Sequence, residues 1–121
     1  MIPVYEDNHI IIVYKQSGEI VQSDKTGDVP LSDIVRQYIR EEHHKPGNVY
    51  LGVVHRLDRD TSGLMIYAKD MQTEQLLERD WHNIVYDRRY IAVVSGEMEQ
   101  DEGTVANWLK DNKAYVTYSS P

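Results

Sequence analysis

Residues 55–62, His-Arg-Leu-Asp-Arg-Asp-Thr-Ser, put seven polar or charged side chains and a single leucine between two apolar runs. The run before, VYLGVVH (Val49–His55), and the run after, LMIYAK (Leu64–Lys69), have the β-branched and aromatic content of strands. A chain built this way must hold two strands joined by a connection far longer than a corner needs. A hairpin turn takes about two to five residues, rich in Gly, Asn or Pro. The excess is either an elaborate turn or chemistry presented at the strand ends.

Residue chemistry offers three readings. Asp58-x-Asp60-x-Ser62-Gly63 follows the first half of a calcium loop, glycine included, but position twelve is Lys69, where a bidentate carboxylate is required. Strands rather than helices flank it, and Arg56 and Arg59 repel a cation. The second reading is structural: Asp58 or Asp60 accepts backbone N–H groups in an Asx turn, Thr61 and Ser62 do the same, and Gly63 supplies a positive φ. This accounts for the end of the loop but not for His55, Arg56 and Asp58. In the third reading Asp58 is a carboxylate held for nucleophilic or acid–base work, with Arg56 and Arg59 keeping it ionised where water is excluded. On these grounds the second and third stay open.

The rest of the chain reads as α+β, with a mixed or antiparallel sheet and two helices. His9–Lys15 is a β-branched strand, and QSGEIVQS follows as a turn and a short extended piece. Leu31, Ile34, Val35, Tyr38 and Ile39 recur at helical spacing, which predicts an amphipathic helix over Leu31–His43, ended by Pro46-Gly47. Asp70 is placed to cap a second helix through Trp81 that buries Leu76, Leu77 and Trp81. RRYIAVVSG, from Arg88, predicts a further strand with Tyr90, Ala92 and Val94 on one face, and Gly103–Ser120 predicts a hairpin.

A length of 121 residues suits one domain able to bury a core. With no cysteine, disulfides and thiol chemistry are excluded. The start carries no leader pattern, no apolar run is long enough to span a membrane, and a soluble cytoplasmic protein is the default expectation. The net charge of −7 is unevenly spread. Residues 36–94 balance nine basic against nine acidic groups and hold all seven arginines, whose planar forks suit phosphate. Charge alone therefore neither supports nor excludes an anionic substrate. His43 and His44 face a helix end favourably. His9 and His82 have no metal-ligand spacing, and Arg88-Arg89 reads as a charged strand entrance.

HRLDRDTSG resembles the signature of the RluA-like family of RNA pseudouridine synthases. Three further blocks resemble that family in order: VYEDNHIIIVYKQSG, where the family has K-P-x-G and this chain has Lys15-Gln16-Ser17-Gly18; GLMIYAKD; and RRYIAVVSG, the family's tyrosine-bearing strand. The resemblance implies a uridine-to-pseudouridine isomerase acting on structured ribosomal or transfer RNA, without metal or cofactor. Residue by residue, it implies Asp58 as the catalytic aspartate and Tyr90 as the tyrosine that packs on the uracil. Arg56 would hold the flipped nucleotide or its vacated place, and His55, Arg59 and Thr61 would shape the loop or meet phosphate. The target base must leave its stack to be reached. The family's later T-G-R-x-H-Q-I-R block has no counterpart here. The expectation is therefore a single domain over 1–121 that is the truncated, N-terminal part of the catalytic domain, with self-association favoured by any apolar face left bare.

Overall fold

Period-two apolar residues build the centre of the sheet. In the computed structural model, which describes residues 1–23, 27–111 and 117–120, the first unit is Met1–Arg88. Its strands are β1 (Tyr5–Glu6), β2 (Ile10–Lys15), β3 (Gly52–Val53) and β4 (Gly63–Ala68), antiparallel throughout in the order β1-β2-β4-β3. The β2–β4 ladder runs in full from Ile10↔Ala68 to Lys15↔Gly63. The two apolar runs that flank the polar loop are thus neighbours, as expected, although only Gly52 and Val53 of VYLGVVH are paired as strand. The short β1 turns into β2 through Asp7, whose carboxylate accepts the N–H groups of His9 and Ile10, 2.8 Å each. Those bonds hold its pKa below the usual value.

Alternation sends Ile11, Val13 and Lys15 of β2 and Met65 and Tyr67 of β4 to one face, and all five are fully buried. Helix α1 (Leu31–Glu42) covers that face with Leu31, Val35 and Ile39, while Ile34 stays over a third exposed. Burying each large aliphatic side chain contributes about 1.5–3 kcal/mol before entropy. Pro30 gives α1 no side-chain cap, and the Ile20 and Val21 carbonyls accept the first N–H groups instead, from Leu31 at 2.8 Å and Ser32 at 3.2 Å. That contact ties the Ile20–Val21 segment to the core.

Helix α2 (Met71–Ile84) lies on the opposite face, the one shared by Gly52 and Ala68. Asp70 is its N-cap as read from the sequence, accepting Thr73 N–H at 2.7 Å. A side chain at Gly52 would strike Glu74, which instead reaches across to bond the Tyr50 hydroxyl. Leu77 is buried and Trp81 half-buried, but Leu76 is exposed, against expectation. Consecutive residues sit about 100° apart on a helix, so with Leu77 turned to the sheet Leu76 turns away from it.

The second unit is Arg89–Pro121. Trp108–Asp111 (β5) and Thr117–Ser120 (β6) pair antiparallel, as the tail hairpin requires, and the connecting residues 112–116 lie outside the described residues. The strand expected over RRYIAVVSG does not form: among the described residues, 86–107 belong to no helix or strand. Ile91 and Val93 are fully exposed. Alternation supplies two faces, but a strand also needs a neighbour's backbone groups along its edge.

Candidate active site

The polar loop leaves β3 after Val53 and rejoins the sheet at Gly63. Leu57, its one apolar residue, points inward onto the core cluster, within 3.3 Å of where a side chain on Gly63 would stand. Gly63 has φ of +153°, which glycine alone adopts without strain. With Leu57 turned in, its neighbours Arg56 and Asp58 turn out and stand exposed. The Asp58 carbonyl accepts Thr61 N–H at 3.0 Å, closing a turn across Arg59 and Asp60.

Beneath the loop lies Lys15, fully buried at the end of β2. Its ammonium donates to three carbonyls: Arg59 at 2.8 Å, Thr61 at 2.7 Å and Gln16 at 3.2 Å. Gly18 N–H adds a second bond to the Arg59 carbonyl, at 2.7 Å. Burial lowers the Lys15 pKa, while attraction to Glu19, Asp60 and Asp58 works the other way. The sequence reading gave Lys15 no role. Its strand parity, shared with Ile11 and Val13, was the signal.

Arg56, Leu57, Asp58 and Arg59 form one wall of a cleft of about 330 Å³, and Ile20, Val21, Gln22 and Ser23 form the other. Gln22 and Ser23 were also missed, because only the fold brings them opposite the loop. The two arginines separate in role. Arg59 bonds Asp28 at 2.9 Å, whereas no described residue takes the Arg56 guanidinium in an ion pair. His55 is half-buried: its Nε2 accepts Ile66 N–H at 2.9 Å, and its ring packs on Trp81 with centroids 4.7 Å apart. Burial first, and the Arg88 charge second, lower its pKa. Thr61 serves the loop through its backbone. Tyr90 belongs to the second unit and is 59% exposed. Among the described residues no cluster of three or more His, Asp or Glu could hold a metal, and no helix is long and apolar enough to cross a membrane.

An exposed carboxylate beside an arginine, over an apolar floor, can bind an anionic substrate and act on a group placed in the cleft. Comparison with known proteins identifies the setting. The family model for RNA pseudouridylate synthase matches residues 9–120. An uncharacterised RNA pseudouridine synthase of Bacillus subtilis is 39% identical over 104 residues, covering 84% of this chain and 35% of that protein. The dual-specificity RNA pseudouridine synthase RluA of Vibrio parahaemolyticus is 34% identical, covering 84% and 38%. Ribosomal large subunit pseudouridine synthase D of Xanthomonas campestris is 35% identical, covering 78% and 28%. The chain thus spans about a third of the length of these relatives. The solved structure of human RNA pseudouridylate synthase domain containing 4 shares the fold over 67% of this chain and 29% of its own, with a TM-score of 0.55 at 21% identity. The family model matched over residues 9–120, together with relatives 39% and 34% identical over 84% of its length, makes this protein a member of the RluA-like RNA pseudouridine synthases.

Proposed function

We propose that this chain supplies the catalytic aspartate of an enzyme that converts specific uridines of structured ribosomal or transfer RNA to pseudouridine, in the cytoplasm. The observation that carries the reading is the cleft in which Asp58 stands beside Arg56, inside a sequence that matches the family. The bond from ribose C1′ to uracil N1 breaks, the base turns in place, C5 joins C1′, the proton on C5 passes to a base, and N1 takes up a proton. The product is an isomer, so no co-reactant is consumed. An ionised Asp58 serves by attacking C1′ or by assisting departure of the uracil.

Arg56 is the group we assign to RNA phosphate or to the space the flipped base vacates. Its guanidinium lines the cleft without an ion-pair partner among the described residues. We assign Tyr90 to stacking on the uracil in the complete active site. To Arg59 and Thr61 we assign support of the loop and contact with a phosphate.

Tritium release from RNA labelled at uracil C5 tests the proposal, with a full-length relative as positive control. Release by the wild-type chain and its loss in Asp58→Asn, both folded by circular dichroism, is the expected result. Equal release by the variant overturns the assignment of Asp58. Binding of RNA without release, by folded chain, makes this an RNA-binding portion of the catalytic domain.

A further inference from the structure

The β2–β4 ladder runs on to Gly63, but β3 leaves its side of β4 after the pair Val53↔Tyr67. Continuing the register, Val54 would have met Ile66. Val4 N–H bonds the Ile12 carbonyl at 2.7 Å, so the polar groups of Ile12 face β1. Its partner Ile66 therefore turns its own N–H away from β2, toward the place β3 has left. A backbone N–H stranded there would lose a full hydrogen bond. The His55 imidazole fills the gap, accepting that N–H on Nε2 at 2.9 Å. An acceptor Nε2 requires a neutral ring with its proton on Nδ1. Trp81 of α2 packs against the ring and fixes its plane.

We propose that His55 is a positioning residue: its neutral imidazole, standing in for a missing ladder carbonyl where β3 leaves the sheet, sets the direction in which the loop carries Arg56 and Asp58 into the cleft. The far end of the loop has three anchors of its own, the Lys15 ammonium, Gly18 N–H and the Thr61–Asp58 turn. The near end has His55. One residue separates it from Leu57, whose inward turn makes Arg56 and Asp58 face outward, so a rotation at the root moves both. The inference rests on the proposed function for its meaning and on geometry for its truth. Its test therefore has one arm that needs no turnover.

The first arm is nuclear magnetic resonance of the 121-residue chain. Nitrogen-15 shifts of the imidazoles, with His55 assigned by its loss in His55→Gln, should report the Nδ1–H form at pH 7.5. The glutamine carbonyl reaches about where Nε2 stands and should preserve slow amide exchange at Ile66 and Thr61. His55→Leu keeps the apolar contact with Trp81, removes the acceptor, and should speed exchange at both amides by about tenfold, the equivalent of one ordinary hydrogen bond. The second arm is tritium release: His55→Gln should stay within about threefold of wild type, and His55→Leu should lose about tenfold in kcat with KM little changed.

An Nε2–H form, or unchanged Thr61 exchange in His55→Leu, overturns the inference. So does a glutamine variant as impaired as the leucine one with raised KM, which would make His55 a contact to RNA. If the leucine chain does not fold, the wild-type tautomer and the glutamine chain still decide. Absence of release by wild type defeats the proposed function and leaves the first arm to judge His55.

Discussion

Lys15 shows what one side chain can organise. Its three donors are all used by carbonyls, and among the described residues no buried side-chain nitrogen or oxygen lacks a partner. Lys15→Met keeps the apolar stem and strands the Thr61 carbonyl, while Gly18 N–H still serves that of Arg59. We expect a loss of about 1–3 kcal/mol for the group left unsatisfied, read as a lower urea midpoint with the slope unchanged. His55 gives a pH signature. Burial and Arg88 hold its folded pKa below 6.5, so its contribution to stability is complete above that value. That contribution falls away as pH drops through the folded pKa. The stability difference between wild type and His55→Gln should therefore change between pH 7 and pH 5, and an unchanged difference counts against the assignment. How much of this was legible divides cleanly. The period of two already placed Lys15 on the face of Ile11 and Val13. Its two acceptors in the loop left no trace, because they are backbone carbonyls 44 and 46 residues away. Likewise the sequence put Arg56 and Arg59 on either side of Asp58, and only the fold, by bringing up Asp28, distinguishes them in role.

Single elements were legible where a local rule governs them. The α2 start followed from Asp70, whose bonds to His9 and Thr73 lower its pKa to about 2. Asp70→Ala should lower the melting temperature at pH 7. The difference from wild type should persist down to the unfolded carboxylate's range and vanish as pH falls through about 2. The α1 span followed from apolar spacing, yet its first turn is capped by the Ile20 and Val21 carbonyls, which no spacing could announce. RRYIAVVSG failed for the opposite reason. Its alternation is strand-like, but pairing is a property of two segments, and one segment cannot declare its neighbour.

For the molecule as a whole, a net charge of −7 and the proposed RNA substrate are compatible because attraction is local. If Arg56 meets a phosphate, Arg56→Ala should weaken RNA binding and reduce the magnitude of the salt slope by about one, measured by fluorescence anisotropy across a potassium chloride series. An unchanged slope removes Arg56 from the phosphate contacts. On the α2 side of the sheet, the paired Tyr14 and Leu64 are each more than half exposed. Sedimentation should show association rising with concentration and reduced by Leu64→Lys; a concentration-independent monomer would dismiss that face as a contact. Salt should act on these surfaces and leave the loop alone. Lys15 does for the loop what a bound potassium ion does for a ring of carbonyls, except that it is tethered by four carbons to β2. Such an ion cannot be chelated, exchanged or diluted away, so the Asp58 turn should stay assembled at salt concentrations that would release the RNA proposed to bind there.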